Sequence, residues 1–203
     1  MKIICMARNY VAHAKELNNP LPATPVFFMK HENCIVRNNK PFYYPEFSDD
    51  IHHEVEIVLK ISKVGKNIDR KFALQYFDEV GLGIDFTARD LQESAMNSGL
   101  PWEIAKAFDF SAPISEFIPV SQFDDVSDLK FHLNINGKTV QQASTSLMIF
   151  PVEDQIAYIS RFITLKTGDL IFTGTPAGVG PVRKDDRLEA YLEDRLMLDF
   201  YVK

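Results

Sequence analysis

Apolar residues recur at every second position over 53–61, where Val55, Ile57, Leu59 and Ile61 share one face, so the pattern predicts a strand. Alternation over Leu129–Ile135, followed by Asn136-Gly137, predicts a strand entering a tight hairpin. Further strands are predicted at 1–7, 25–29, 81–86, 169–173, 188–192 and 196–202. Helical spacing appears at Tyr10–Leu17, which Asn18-Asn19-Pro20 stops, and at Glu153–Phe162. It also appears over Asp69–Val80, through Phe72, Ala73, Tyr76, Phe77 and Val80. Thr87 with Asp90 three residues on reads as a helix N-terminus, with a capped helix running to about Asn97 and ending at Gly99. The 30–50 stretch is loop-rich. Strands outnumber helices and cluster instead of alternating with them, which points to the α+β class.

Composition narrows the classes further. Of the 203 residues, 46% are hydrophobic and 25% charged, ordinary values for a globular chain. A chain of this length buries roughly 70% of its unfolded surface, enough for a core without staples. The formal net charge of −6 argues against nucleic acid as a partner. Two cysteines, Cys5 and Cys34, make neither a disulfide framework nor a zinc motif, so a reducing compartment is expected. No stretch is long and apolar enough for a signal peptide or a membrane helix, and the expectation is a cytoplasmic protein.

Four segments could carry chemistry. In Ile51-His-His-Glu-Val-Glu-Ile, Glu54 and Glu56 fall on one face of a strand, opposite Val55, Ile57 and Leu59. A bare pair of this kind is usually a solvated face, whereas a functional pair would hold a divalent cation through hard oxygen ligands. Asp85 closes a strand just before Thr87, and Arg89 and Gln92 share a face of the next helix. His13 and Glu16 stand three apart on the short N-terminal helix, where a carboxylate could orient an imidazole base. An exposed pair is the plainer reading of that spacing. Phe172–Gly180 (FTGTPAGVG) is neither a P-loop nor a dinucleotide fingerprint. It is a tight turn, or a source of hydroxyl and N–H groups for a carboxylate. His52 and His53 point to opposite faces of a strand, which argues for local hydrogen bonding over a shared zinc. His31 and His132 have no partner legible in the sequence.

Taken together and in this order, ARNYVAHAKEL (7–17), PVFFMKHENCIV (25–36), IHHEVEIVLKI (51–61), GLGIDFTARDLQ (81–92), GLPWEIAKAFD (99–109), NGKTVQ (136–141), TSLMIF (145–150) and LKTGDLIFTGTPAGVGPV (165–182) resemble the fumarylacetoacetate hydrolase superfamily. The short length and the His–Glu pair are most similar to its small branch, typified by fumarylacetoacetate hydrolase domain-containing protein 1. The resemblance implies a mixed β-sandwich roll with short peripheral helices, one catalytic domain over 1–203, and a mobile lid helix within residues 1–20. It implies Mg²⁺ or Mn²⁺ on Glu54, Glu56 and Asp85. It assigns catalysis to His13, Glu16 and Lys106, and binding of a small anionic 2-oxo acid to Arg8, Arg89, Gln92 and Thr175. Two departures, Ala7 and Ala107 where the family carries Gly, remove none of these groups. The implied reaction is hydrolytic C–C cleavage of acylpyruvates, with oxaloacetate decarboxylation by the same site. The alternative is isomerisation or tautomerisation of 2-hydroxymuconate-type or oxaloacetate enol substrates. A homodimer is also implied.

Overall fold

Each predicted strand finds a partner in the computed structural model, which describes Met1–Lys203. The strands are β1 (Ile3–Ala7), β2 (Val26–Lys30), β3 (Ile35–Val36), β4 (Ile51–His53), β5 (Val55–Ile61), β6 (Phe77–Ile84), β7 (Thr87–Ala88), β8 (Ala112–Pro113), β9 (Ile118–Pro119), β10 (Lys130–Ile135), β11 (Lys138–Ser144), β12 (Leu170–Phe172), β13 (Gly180–Pro181), β14 (Arg187–Leu192) and β15 (Arg195–Tyr201). Four short α-helices stand among them: α1 (Val11–Glu16), α2 (Arg89–Ser98), α3 (Glu103–Lys106) and α4 (Val152–Phe162). The class is α+β, as the pattern predicts.

A six-stranded mixed sheet in the order β2-β1-β12-β5-β6-β9 forms the floor, and a four-stranded antiparallel sheet, β11-β10-β14-β15, packs over it. Strand β1 shows the pleat at work. Ile4 and Met6 enter the large core between the sheets, while Ile3 and Cys5 enter a second core on the other face with Val58, Leu170, Phe172, Ala112 and Ile114. Strand β5 is buried on both faces for the same reason, so the solvated-face reading of Glu54 and Glu56 fails.

Two expectations need correction. Only Arg70–Tyr76 of the Asp69–Val80 stretch is helical, as a 3₁₀ turn, and Phe77 onward is strand β6 paired along β5. Pairing with a central strand overrides the local periodicity. Gly83 explains the tight fit there, since a Cβ would lie 2.4 Å from the Phe172 ring. Nor does Thr87 cap a helix. It pairs with His52 in the β4–β7 bridge, and α2 begins at Arg89. The Asp90 carboxylate instead accepts from Ser48 Oγ at 2.7 Å, tying the helix start to the preceding loop. The C-terminal end behaves as predicted, with Gly99 in the left-handed region at φ +65°.

Candidate active site

The site lies where β5 begins and β6 ends, beside the start of α2 and the end of α3. Glu54 sits between β4 and β5, Glu56 on β5, and Asp85 directly after β6. The Asp85 N–H donates to Glu54 O at 2.8 Å, which locks the two chain segments together. The three carboxylates are at most 5% exposed. Ligand oxygens from all three lie within 4.8 Å of one another.

Three cations surround them. Lys106, at the end of α3, donates to Glu54 Oε2 and Asp85 Oδ2, both at 2.8 Å, and to Thr87 Oγ1 at 2.6 Å. Thr87 is therefore consumed by the lysine, which is why it is free neither to cap α2 nor to face solvent. Arg89 donates from Nη2 to Glu54 Oε1 at 2.5 Å and from Nη1 to Gln92 Oε1 at 2.6 Å. The third cation, Lys30, is fully buried and stands 2.8 Å from Asp85 Oδ1. That approach makes Lys30 and Asp85 a buried ion pair. Lys30 also donates to Ser111 Oγ at 2.9 Å and to the Lys106 carbonyl.

Neutralisation is uneven. Burial by itself would raise the Glu54 carboxyl, but Lys106 and Arg89 outweigh it and hold the group below the usual carboxylate range. Glu56 goes the other way. Burial, then the neighbouring Asp85 and Glu54, push it well above its ordinary value, and its one hydrogen-bond donor is the Gly174 N–H at 2.6 Å. Burial would depress Lys106, but Asp85 and Glu54 raise it, so it stays a cation. A buried carboxylate with one donor and an all-oxygen donor set fit a hard divalent cation.

A pocket opens onto these groups. Nine of the ten residues predicted for the site line it: Arg8, His13, Glu54, Glu56, Asp85, Arg89, Gln92, Lys106 and Thr175. Glu16 does not. Its Oε2 stands 3.5 Å from His13 Nδ1, without a hydrogen bond, while its carboxylate accepts from Gly178 N–H at 3.0 and 3.1 Å. His13 is buried, and burial holds its imidazole below the ordinary value, so it is neutral near pH 7 with an unpartnered Nδ1. Arg8 reaches the rim from a left-handed backbone at φ +57°. Thr175 lines the cavity, but its single hydroxyl proton goes to Val55 O at 2.9 Å, so as placed it has no donor left for a carboxylate.

Lys30 and Gln141 belong to this constellation and carry no motif that marks them. Lys30 ends an apolar run, PVFFMK, and a lone basic residue closing a buried strand is the one available signal. Gln141 lies on a hairpin strand far from the other site residues in the chain. Phe28 and Trp102, which also line the cavity, meet edge-on with ring centroids 6.1 Å apart. His52 pairs with Asp50 at 3.0 Å and His53 with Gln141 at 2.9 Å, so neither needs a zinc ion. His132 stacks on Tyr191 at 4.6 Å between centroids.

Residues 2–199 match the fumarylacetoacetate (FAA) hydrolase C-terminal family. The chain belongs to the fumarylacetoacetate hydrolase family. Within it, the chain is 39% identical over 201 residues to the oxaloacetate tautomerase FAHD1, mitochondrial, of Mus musculus, covering 99% of this chain and 91% of that protein. It is 43% identical over 183 residues to the oxaloacetate decarboxylase, mitochondrial, of Dictyostelium discoideum, covering 90% and 84%. The crystal structure of fumarylpyruvate hydrolase from Pseudomonas aeruginosa, in complex with Mn²⁺ and pyruvate, superposes with a TM-score of 0.95 at 35% identity, covering 100% of this chain and 89% of that one. The chain thus has the family fold, and these relatives are named for reactions of oxaloacetate and fumarylpyruvate. No helix of this chain is long and apolar enough to cross a membrane.

Proposed function

We propose that the protein is a divalent-metal-dependent enzyme of small anionic 2-oxo acids, and that it catalyses proton transfer at the carbon beside the keto group of oxaloacetate, interconverting enol and keto forms. The observation that carries this reading is a neutral, buried imidazole with an unpaired nitrogen in the same cavity as three converging carboxylates. Glu54, Glu56 and Asp85 would hold Mg²⁺ or Mn²⁺. When bound, such a cation supplies positions for a carboxylate and a keto oxygen and stabilises negative charge developing there.

The chain's own residues do the rest. In the keto-to-enol direction His13 Nδ1 takes the proton from carbon while the enolate oxygen takes one from solvent; in the reverse direction the enol O–H proton goes to solvent and His13, whose proton affinity burial lowers, gives its proton to carbon. Lys106, held on Glu54 and Asp85, adds positive charge beside the developing enolate oxygen. Arg89, braced by Gln92, and Arg8 at the rim present guanidinium groups to the substrate carboxylates. Pyruvate and Mn²⁺ in the Pseudomonas aeruginosa relative support both the cation and the oxo-acid class for this cavity.

A second reading is hydrolysis of acylpyruvates, with oxaloacetate decarboxylation by the same groups. Glu16 at 3.5 Å from His13 favours it, because a carboxylate there stabilises the imidazolium formed when His13 deprotonates water. The relatives' names support each activity in turn. This reading takes 1–203 as one catalytic domain and residues 1–20 as a strand and lid helix. It also takes the protein as a homodimer, for which the exposed apolar Phe47 and Ile104, which line one surface depression, offer a face to cover. Cys5 and Cys34 are buried and unpaired, which fits a reducing compartment such as the cytoplasm, and the relatives are named as mitochondrial.

The test uses purified protein with Mg²⁺ or Mn²⁺ and three readings: decay of oxaloacetate enol absorbance, pyruvate release from oxaloacetate, and cleavage of acetylpyruvate by NMR. Metal-dependent enol decay faster than buffer, abolished by chelator, is the expected result. Metal-bound protein that accelerates none of the three overturns the proposal.

A further inference from the structure

Strand β5 loses its neighbour at the place where its carboxylates matter. Strand β12 pairs with it only as far as Phe172 opposite Val58, and the Thr173 N–H makes the last main-chain contact, to Ile57 O at 3.0 Å. Beyond that the chain turns away through Gly174, at φ +100°. The Val55 peptide, between Glu54 and Glu56, would be left with an unpaired edge on that side.

Side chains take over the ladder. Thr175 Oγ1 donates to Val55 O at 2.9 Å. Gln141, on β11 of the other sheet, accepts from Val55 N–H at 3.0 Å through Oε1. The same oxygen accepts from His53 Nδ1 at 2.9 Å, while Nε2 donates to Thr175 Oγ1 at 2.9 Å and to Pro176 O at 3.0 Å. The amide orientation is not arbitrary. Val55 N–H can only donate and Pro176 O can only accept, so Oε1 must face the first and Nε2 the second. It follows that His53 carries its proton on Nδ1. All four hydrogen bonds of Gln141 are made inside the protein, where it is 1% exposed. Gly178 completes the fit: at φ +96°, a Cβ on it would lie 2.1 Å from Val140 O, so only glycine lets the turn close on the strand that carries Gln141.

We infer that Gln141 is a positioning residue for the candidate metal site. It bridges the two sheets and holds the Val55 peptide, and with it the directions of Glu54 and Glu56, while fixing the Thr175 hydroxyl at the cavity wall. A buried network is valuable only when every member is satisfied, and this one is. The inference rests on the metal reading of Glu54, Glu56 and Asp85, but one of its tests does not.

Nitrogen-15 NMR of the imidazole rings at pH 8, without metal, is expected to show His53 as the Nδ1–H tautomer. The Nε2–H tautomer overturns the bridge. In Gln141→Leu, which keeps the bulk and loses all four bonds, Mn²⁺ affinity of the folded protein, read by electron paramagnetic resonance, is expected to fall at least tenfold. At saturating Mn²⁺, KM for oxaloacetate is expected to rise. A variant that only melts earlier, with Mn²⁺ affinity unchanged, has lost a structural residue and overturns the inference. If Gln141→Leu does not fold, Thr175→Val removes two bonds of the same bridge and is expected to weaken Mn²⁺ about threefold, with no change counting against it. Wild-type protein that binds no Mn²⁺ refutes the metal reading, and the tautomer measurement still decides the bridge.

Discussion

Lys30→Met isolates a charge that has no role in the sequence motifs. The substitution keeps the apolar stem and removes the ammonium from a site where the side chain is fully buried. Breaking a buried ion pair by deleting one partner costs about 3–5 kcal/mol, because the remaining charge stays buried. Asp85 keeps Lys106 on its other oxygen at 2.8 Å, and the Lys106 carbonyl keeps Ser111 Oγ at 3.0 Å, so the low end applies. A loss of about 3 kcal/mol is roughly a hundredfold in the folded-to-unfolded ratio. For a chain of this size it corresponds to roughly 6–12 °C in Tm. Urea titrations with and without Mn²⁺ measure it. The loss should be largest without metal and should shrink in Mn²⁺, because a bound divalent cation replaces the missing charge beside Asp85 and stabilises the folded state by mass action. A loss under 1 kcal/mol in metal-free protein would refute the assignment of Lys30 as the counter-charge of Asp85. An equal loss with and without Mn²⁺ would refute the claim that the two cations share that carboxylate.

Glu54→Gln should abolish Mn²⁺ binding and turnover together, read by paramagnetic resonance and enol decay; activity surviving in chelator would contradict the metal reading. His13→Ala should lower kcat about 10²–10⁴-fold with a small change in KM, the signature of a lost base. Because burial lowers the His13 pKa, the base form persists below the ordinary imidazole value of 6.5, so kcat/KM should stay level from pH 8 to 6.5 and fall only on further acidification. A limb centred above 6.5 would point to another group. Gly178→Ala should destabilise the fold by more than about 2 kcal/mol in denaturant melts, since it combines a left-handed backbone with a Cβ driven into Val140 O.

Much of the fold was legible in short-range pattern. Alternation over Val55–Ile61 located strand β5, and the Asn136-Gly137 turn located the β10–β11 hairpin. Failures came where one period had to yield to a neighbour. The Phe77 and Val80 pair suits a helix in isolation, yet the chain gains more by pairing with β5, and the two glycines at 81 and 83 accept the resulting closeness. Thr87 and Asp90 form a capping pair in the sequence, but Lys106 claims the hydroxyl and Ser48 the carboxylate. At the site, Glu54 and Glu56 were readable as a pair because their spacing is local, whereas Asp85 joined them as a ligand candidate only through the family resemblance. Glu16 was read as a partner for His13, whereas the Gly178 amide competes for it from across the fold.

By itself the sequence determined which residues are able to do chemistry here: three carboxylates, an imidazole, and the lysine and arginine that follow them. These are chemical identities, and strand or helix spacing brings some of them onto a common face. Tertiary structure alone decided the electrostatics. Whether Glu54 and Glu56 lie in water or in the core depends on a second layer covering β5, and no local pattern encodes that layer. Lys30 and Gln141 enter the site from strands distant in the chain, because a buried charge and an unpaired sheet edge must be satisfied by whatever the packing brings near. Proximity of that kind is a property of the closed fold, and it is what turns separate side chains into one cavity.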